Sequence, residues 1–275
     1  LLAYTNRAVD ELCEAIDSAI TEELEHKFIR IGNELSTSSE FHSNLLNKII
    51  EQKDLDLTAK NEKFSRKTIQ EIIKKQRIFV STVASISSKT DILKLKKFDT
   101  IIIDEASQIL EPQIVGILPK AERFIMIGDH KQLPAIVLQH PELTKTNHPL
   151  LEDIGLMNRK NSIFERLYAF CEQHQLHHAY DQLTYQGRMH AEIAAFPNQY
   201  FYDGKLNVAF DIPNLNEIAK QELQRQRADL HFEVCDNTNI IQHYIANHRF
   251  GFVNVEDNPH LPSTNHREAD LIVQF

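Results

Sequence analysis

The sequence has 275 residues, of which 42% are hydrophobic and 25% are charged, and its formal net charge at pH 7 is −9. This composition supports a folded core and excludes a disordered chain, and no apolar run reaches the ~20 residues of a membrane-spanning helix. The acidic balance excludes a global basic field, so a polyanion site has to be a local patch. Three widely spaced cysteines exclude a disulfide framework and indicate a reducing, intracellular compartment, the cytoplasm or a eukaryotic nucleus.

Short apolar segments rich in β-branched residues predict buried strands in the first half of the chain. These segments are residues 1–4, 28–31, 78–83, 100–103 and 124–127. Helical patterns lie between several of them, beginning with an amphipathic helix for which Asn6 is a plausible cap. Strands that alternate with helices predict an α/β fold with a parallel sheet covered on both faces.

A basic helical insertion and a polar linker organise the rest of the chain. Residues 32–77 interrupt the alternation with predicted helices at 41–52 and 65–77, and residues 59–77 contain seven Lys or Arg against two Glu. This positive surface is either a solvated helix face or a contact for nucleic acid. The polar segment 139–160 predicts a linker, which divides the chain into a first domain at 1–150 and a second at 151–275.

In the second domain, Ser162 and Glu165 form a predicted capping box that begins a helix. Further strands are predicted at 181–183 and 250–255, and further helices at 214–230 and 266–275.

The strongest local pattern is the strand at 100–103 followed directly by Asp104 and Glu105. Ligands bind at the carboxyl edge of parallel sheets, where an aspartate can hold Mg²⁺ on nucleotide phosphates and a glutamate can deprotonate the attacking water. The alternative is a strand that runs into a solvated acidic turn.

A second pattern follows at 124–132, where a strand ends at Gly128 and Asp129 and a loop then offers Gln132. A glutamine there can hydrogen-bond a γ-phosphate.

Together, DEASQ at 104–108 and GDHKQLP at 128–134 resemble motifs II and III of superfamily 1 helicases. The subgroup that they resemble is the Upf type, which includes the nonsense-mediated-decay helicase and senataxin. TNRAVDEL at 5–12 is similar to motif Ia of that family, and STVAS at 81–85 is similar to the strand-end motif before motif II. LTYQGRMH at 183–190 resembles the segment that opens the second RecA-like domain. The resemblance spans residues 1 to about 206.

The resemblance implies a role for each matching position. It implies that Asp104 binds the Mg²⁺ of ATP, that Glu105 activates water, and that Gln132 contacts the γ-phosphate. From the second domain, it implies that Gln186 contacts the nucleotide and that Arg188 acts as an arginine finger. The residues implied to touch the nucleic-acid backbone are Thr5, Asn6, Ser81 and Thr82. The basic helices at 59–77 match an insertion over the strand channel.

The implied protein has two RecA-like parallel-sheet domains of the P-loop NTPase class, both incomplete, and is an ATP-dependent helicase or translocase on single-stranded DNA or RNA. No G-x-x-x-x-G-K-S/T occurs in the sequence, so the resemblance implies a phosphate loop before residue 1. It likewise implies motifs V and VI after residue 275. Without a phosphate loop, this chain alone is expected to be inactive. The family's Gln-Tyr-Arg-Met has Gly187 in place of tyrosine. Two alternatives remain: a non-catalytic nucleic-acid-binding module or pseudo-helicase, and an ATPase that remodels protein–nucleic-acid complexes.

Overall fold

The computed structural model describes residues 1–21, 26–59, 65–208, 251–252, 254–255 and 265–273. Contacts between residues divide the chain into two compact units, Leu1–Tyr180 and Asp181–Phe275. This division lies further along the chain than the boundary after residue 150 that the sequence indicates. Among the described residues, no helix is long and apolar enough to cross a membrane.

The first unit is built on a sheet of five parallel strands. They are β1 (Leu2–Ala3), β2 (Ile29–Ile31), β3 (Phe79–Thr82), β4 (Phe98–Ile103) and β5 (Ala121–Met126). Their order across the sheet is β2-β3-β1-β4-β5, and every neighbouring pair is parallel. The α/β fold class and all five predicted strand segments are therefore confirmed.

Nine α-helices are described in the first unit, together with four 3-10 turns. The α-helices are α1 (Asn6–Ala19), α2 (Leu46–Ala59), α3 (Arg66–Lys75), α4 (Val83–Ser88), α5 (Thr90–Leu95), α6 (Glu111–Ile114), α7 (Pro141–Thr144), α8 (Pro149–Asp153) and α9 (Ile163–Gln173). The 3-10 turns are Glu34–Ser36, Ser39–Asn44, Ala106–Gln108 and Leu118–Lys120.

Two predicted helix starts differ from those in the structure. The cap of α1 is Thr5 rather than Asn6, because the Thr5 hydroxyl accepts the backbone N–H of Ala8. The helix predicted at 41–52 is divided into a 3-10 turn and α2, because Leu45 between them has an extended backbone. Leu45 is fully buried and forms a parallel bridge with Arg30, so packing against β2 overrides the helical pattern there.

The core lies on both faces of the sheet, because successive residues of a strand point to opposite sides. Leu2 and Phe79 belong to the larger hydrophobic cluster, whereas their chain neighbours Ala3 and Val80 pack with α1 in a second cluster. At the β5 edge, the side chains are more exposed and reach 50% at Ile125. Helix α1 is held by the second cluster, and this packing fixes where the chain at its amino end can lie.

The segment that follows the predicted linker packs onto the first unit. Ser162 bridges to Leu110 in antiparallel fashion, and Ile163 is buried in the larger cluster. Arg166 in α9 makes a two-pronged ion pair with the buried Glu111, with distances of 2.8 Å from Nε to Oε2 and 2.6 Å from Nη2 to Oε1. These contacts join α9 to the first unit, which ends at Tyr180. The predicted Ser162 cap is confirmed, since its hydroxyl accepts the backbone N–H of Glu165.

The described part of the second unit contains a pair of short parallel strands, β6 (Tyr185–Gln186) and β7 (Asn207–Val208), with helices α10 (Ala191–Phe201) and α11 (His266–Val273). The strand predicted at 181–183 is wrong, because Leu183 is 86% exposed and has no strand partner. The helix predicted at 266–275 is confirmed over α11. The predicted helix at 214–230 lies outside the described residues, and the predicted strand at 250–255 lies partly outside them.

Candidate functional site

Asp104 extends β4 at the carboxyl edge of the sheet. Its backbone N–H donates to the carbonyl oxygen of Leu2 at 2.8 Å, which continues the pairing between β4 and β1. The Asp104 side chain is half-buried, and its Oδ1 accepts the backbone N–H of Glu105 at 3.0 Å. A carboxylate is thereby fixed at the position where parallel sheets bind ligands.

Glu105 begins a sharp turn directly after Asp104. Its backbone is left-handed, with φ 52° and ψ 38°, a conformation that costs a residue other than glycine about 1–2 kcal/mol. Such residues are concentrated at functional sites, where the surrounding structure holds them. Here the backbone N–H of Ala106 donates to the carbonyl of Ile127 at 2.8 Å, and Gln108 Nε2 donates to Glu105 Oε2 at 3.2 Å. The turn is thus tied to the end of β5.

Gly128 allows the chain after β5 to pass directly against this turn. A Cβ atom at position 128 would lie 2.9 Å from the backbone nitrogen of Ser107 and 3.2 Å from that of Ala106, so any side chain would force the two segments apart. The backbone N–H of Asp129 donates to Ser107 Oγ at 3.2 Å. The two predicted motifs are therefore in direct contact.

Asp129 orders the loop that contains Gln132. One of its carboxylate oxygens, Oδ1, accepts the backbone N–H of Lys131 at 3.0 Å, and the other, Oδ2, accepts Gln132 Nε2 at 2.9 Å. Gln132 is exposed at the same sheet edge as Glu105. The structure thus brings three of the predicted residues, Asp104, Glu105 and Gln132, to the ends of neighbouring strands.

The predicted nucleic-acid contacts differ in their exposure. Thr5 is exposed and Asn6 is half-buried, both at the start of α1. Ser81 and Thr82 are buried, and their hydroxyls form hydrogen bonds inside the fold. Ser81 Oγ lies 3.2 Å from the carbonyl oxygen of Ile31, and Thr82 Oγ1 caps α4 by accepting the backbone N–H of Ser85 at 3.0 Å. Of these four side chains, the two at the start of α1 are accessible to a ligand.

In the second unit, Gln186 shapes the turn that displays Arg188. Gln186 Oε1 accepts the backbone N–H groups of Arg188 at 3.1 Å and of Met189 at 2.7 Å, and its Nε2 donates to the Met189 carbonyl at 2.8 Å. Arg188 itself is exposed. Both amide atoms of Gln186 therefore have a local role in holding this turn.

Sequence reasoning missed a buried charge network next to the start of α1. Arg30 in β2 is fully buried and forms an ion pair with Asp10, at 3.0 Å from Nη2 to Oδ1. The signal was present, because an arginine inside a predicted buried strand needs a partner. Its partner lies twenty residues away along the chain, and no local pattern identifies it.

The carboxyl edge of the sheet suits a divalent cation that is bound together with the phosphates of a nucleotide. In the parts of the chain that the structure describes, no group of three or more His, Cys, Asp or Glu residues could hold a metal ion. Mg²⁺, however, is commonly held by one or two carboxylates together with water and substrate phosphates. The fixed carboxylate of Asp104 suits that mode of binding.

Comparison with known proteins assigns the chain to a family. Two AAA domain models match, over residues 48–140 and 159–275. The chain is 27% identical over 267 residues to the DNA replication ATP-dependent helicase/nuclease DNA2 of Bos taurus, a match that covers 94% of this chain and 22% of that protein. It is 39% identical over 128 residues to the DNA2 protein of Gallus gallus, covering 44% of this chain and 11% of that protein.

A third relative is the ATP-dependent helicase NAM7 of Saccharomyces cerevisiae, 33% identical over 151 residues, with 54% of this chain and 13% of that protein covered. The chain thus spans less than a quarter of the length of each of these relatives. The two AAA matches identify the parallel-sheet architecture as the RecA-like P-loop fold. With these relatives and the ordered motifs at one sheet edge, the chain belongs to the Upf-type superfamily 1 helicases.

Proposed function

We propose that this chain contributes the central part of the motor of an ATP-dependent helicase that translocates on single-stranded DNA or RNA. The observation that carries the proposal is the direct contact between residues 104–108 and 128–132 at the ends of β4 and β5. This contact joins a pair of carboxylates to a glutamine at the edge where α/β sheets bind nucleotides. The names of the relatives, all ATP-dependent helicases, support the same activity.

The carboxylates divide the work of hydrolysis. Asp104 would hold Mg²⁺, and the ion would neutralise charge on the ATP phosphates. Glu105 accepts a proton from the water that attacks the γ-phosphate. Gln108 orients the Glu105 carboxylate, because its Nε2 donates to Glu105 Oε2. The left-handed backbone of Glu105 turns the chain sharply after Asp104, so two carboxylates that are adjacent in sequence can have different roles.

Gln132 connects the nucleotide to the rest of the motor. Its amide contacts the γ-phosphate, while Asp129 fixes its orientation and is itself bound to Ser107. Loss of the phosphate therefore alters a loop that is directly attached to the carboxylate turn. For Arg188, the resemblance of residues 183–190 to the family implies a role in stabilising charge on the phosphate.

These 275 residues contain no G-x-x-x-x-G-K-S/T, the motif that provides the backbone N–H groups that cradle phosphates. The relatives are several times longer than this chain, so the test belongs on the full-length protein. We place that protein inside the cell, where the unpaired Cys13 and Cys171 remain reduced.

The deciding experiment measures ATP hydrolysis by the full-length protein with and without single-stranded DNA or RNA, together with displacement of a strand from a tailed duplex. We expect stimulated hydrolysis and strand displacement. The matched variant is Glu105→Gln, which should bind Mg-ATP normally but not turn it over. A protein that binds no ATP would contradict the proposal, and hydrolysis without strand displacement would indicate an ATPase that remodels protein–nucleic-acid complexes.

A second candidate function is a nucleic-acid-binding module without catalysis. The observation that favours it is Gly187, which occupies the position of the family's tyrosine and removes an aromatic ring from the turn held by Gln186. Base–aromatic stacking contributes about 1–3 kcal/mol, so its loss weakens nucleotide binding. Tight binding of a single-stranded oligonucleotide, without any ATP binding by the full-length protein, would support this candidate over the helicase.

A further inference from the structure

Arg30 is the only arginine in the described sheet whose side chain is completely buried, with 0% exposure in β2. Its Nε lies 3.1 Å and its Nη2 lies 3.0 Å from the same atom, Oδ1 of Asp10. Nη2 also lies 3.4 Å from Oδ1 of Asn6. A single guanidinium group therefore contacts two side chains of α1, one in its first turn and one in its second.

Asp10 extends the network to the segment after β2. Its second oxygen, Oδ2, accepts the backbone N–H of Ser38 at 3.0 Å. The backbone of Arg30 bridges to Leu45 further along that segment. Three stretches that are distant in sequence, namely the start of α1, β2 and the loop at 33–38, are thus held by one buried ion pair.

Stability alone does not account for a buried arginine at this position. The cost of removing two charges from water often exceeds their mutual attraction, and an apolar pair of similar volume is frequently as stable or more stable. Arg30 Nη1, moreover, is buried without a hydrogen-bond partner among the described residues, which adds to the cost. What the guanidinium does impose is a fixed geometry on the side chains that it contacts.

That geometry bears on Asn6. A guanidinium has donors only, so Asn6 must turn its Oδ1 towards Arg30, and its Nδ2 amino group then faces the other way. Asn6 is half-buried and follows the exposed Thr5, so this side of the residue reaches the surface. An outward amino group at that place can only donate hydrogen bonds, and the phosphate oxygens of a nucleic-acid backbone can only accept them.

We propose that Arg30 is a positioning residue that orients the Asn6 amide so that its Nδ2 donates to a phosphate of the bound strand. The proposal rests on the nucleic-acid binding proposed above and names the atom that makes the contact. Asp10 holds the guanidinium in place, and Ser38 holds Asp10, so the loop at 33–38 sets the orientation indirectly. This contact is independent of base sequence, because phosphates are the same at every step.

The test is a double-mutant cycle on the affinity of the full-length protein for a fluorescent single-stranded oligonucleotide. Arg30→Lys keeps the charge but loses the planar fork, and we expect it to weaken binding by about 3- to 10-fold. Asn6→Ala should weaken binding by a similar factor. The double variant should bind no more weakly than Asn6→Ala alone. If Arg30→Lys weakens binding equally with and without Asn6, Arg30 acts only on the fold and the proposal is overturned.

Arg166→Lys is the matched control, since Arg166 is also a mostly buried arginine in an ion pair with a buried glutamate. It should lower thermal stability without changing the affinity for the oligonucleotide. Should Arg30→Lys fail to fold, Asn6→Asp gives a second variant, because Asp can still accept from Arg30 but has no amino group to offer. We expect this variant to fold and to bind at least about ten-fold more weakly than the wild type; unchanged affinity would overturn the proposal.

A measurement without nucleic acid separates this inference from the proposed function. In the ¹⁵N-labelled protein, the Asn6 side-chain NH₂ signals should shift and broaden in Arg30→Lys and should be unchanged in Arg166→Lys. If the wild type binds no oligonucleotide, the proposed function fails, and the Asn6 signals alone decide whether Arg30 orients the amide. Asn6 signals that are identical in wild type and Arg30→Lys would overturn the positioning role.

Discussion

Two groups of residues at the carboxyl edge of the sheet differ in the burial of their side chains and in the contacts that hold them together. The nucleotide corner comprises residues 104–108 and 128–132, where Glu105 and Gln132 are exposed and the contacts between segments are made largely by backbone atoms. The strand corner comprises residues 5–10, Arg30 and residues 37–38, where a buried ion pair makes the contacts. One corner is held by close backbone approach and the other by charge.

This difference predicts that variants in one corner change catalytic activity and variants in the other change the free energy of unfolding. The exposed carboxylate of Glu105 in the nucleotide corner contributes little to the free energy of unfolding, so its replacement should impair the chemistry and leave the fold intact. A buried ion pair behaves in the opposite way, because removal of one partner leaves the other charged and without compensation. Variants in the two corners should therefore separate stability from activity.

The largest expected effect on stability is that of Asp10→Ala. This change leaves the fully buried Arg30 without its ion pair and the Ser38 N–H without its acceptor, and we expect a loss of about 3–5 kcal/mol in the free energy of unfolding. Urea unfolding measures the loss. The matched control is Glu11→Ala on the same helix, whose ion pair with Arg7 is exposed and should contribute less than about 1 kcal/mol. Equal losses for the two variants would contradict the distinction between the corners.

In the nucleotide corner, Glu105→Gln should act on turnover instead. Removal of the general base should reduce the kcat for ATP of the full-length protein by roughly 10²-fold or more, while Mg-ATP binding and the free energy of unfolding stay nearly unchanged. Asp104→Asn serves as the comparison, because it should weaken Mg-ATP binding itself. Steady-state kinetics and nucleotide titrations check both variants. Near-normal turnover by Glu105→Gln would show that Glu105 is not the base.

Gly128→Ala tests whether backbone approach holds the nucleotide corner. The added methyl group meets the Ser107 nitrogen at 2.9 Å, so the loop must move, at a cost of about 1–3 kcal/mol in unfolding free energy. Gly116→Ala is the control, because Gly116 is exposed and a Cβ there meets nothing within 4 Å. We expect that control to leave stability unchanged or to raise it slightly. If both variants have the same stability, close approach at Gly128 is not what positions the loop.

Local patterns in the sequence were sufficient to predict much of the sheet. Each predicted strand in the first half is an apolar run bounded by polar residues, and burial on both faces requires that pattern. At residues 41–52, a tertiary contact overrides the local preference, because Leu45 pairs with β2 and interrupts the predicted helix. The ion pair between Arg166 and Glu111, which ties α9 to the first unit, also has no signal in the local sequence.

The candidate site divides in the same way. Asp104, Glu105 and Gln132 could be found because they follow strands directly, and the ends of parallel strands meet at one edge. The hydroxyls of Ser81 and Thr82 could not be judged from sequence, since their burial depends on β2 and α4 packing around them. The pairing of Arg30 with Asp10 was likewise invisible, because it joins a strand to a helix on which no sequence pattern marks the partner.

The smallest expected effect concerns pH and the core beneath the strand corner. Cys13 in α1 is fully buried, and this burial raises the pKa of its thiol to about 12. In the unfolded chain, the thiol ionises near its ordinary pKa of about 8.5, so above that pH the unfolded state binds fewer protons than the folded state. This contribution to stability is therefore fully present below pH ~8.5 and is lost as the pH rises towards 12. Between pH 8.5 and 9.5, it should decrease by about 1 kcal/mol.

Cys13→Ala removes that titration, so its free energy of unfolding should fall less steeply with pH than that of the wild type over this interval. Urea unfolding at several pH values between 7.5 and 9.5 gives the slope of unfolding free energy against pH for each protein. The difference between the two slopes cancels the contributions of the other titrating groups, which the two proteins share. The cavity left by the variant lowers its stability at every pH equally and does not affect the comparison. Parallel pH profiles for the two proteins would mean that the Cys13 thiol can ionise in the folded state, and that water reaches the core under the strand corner.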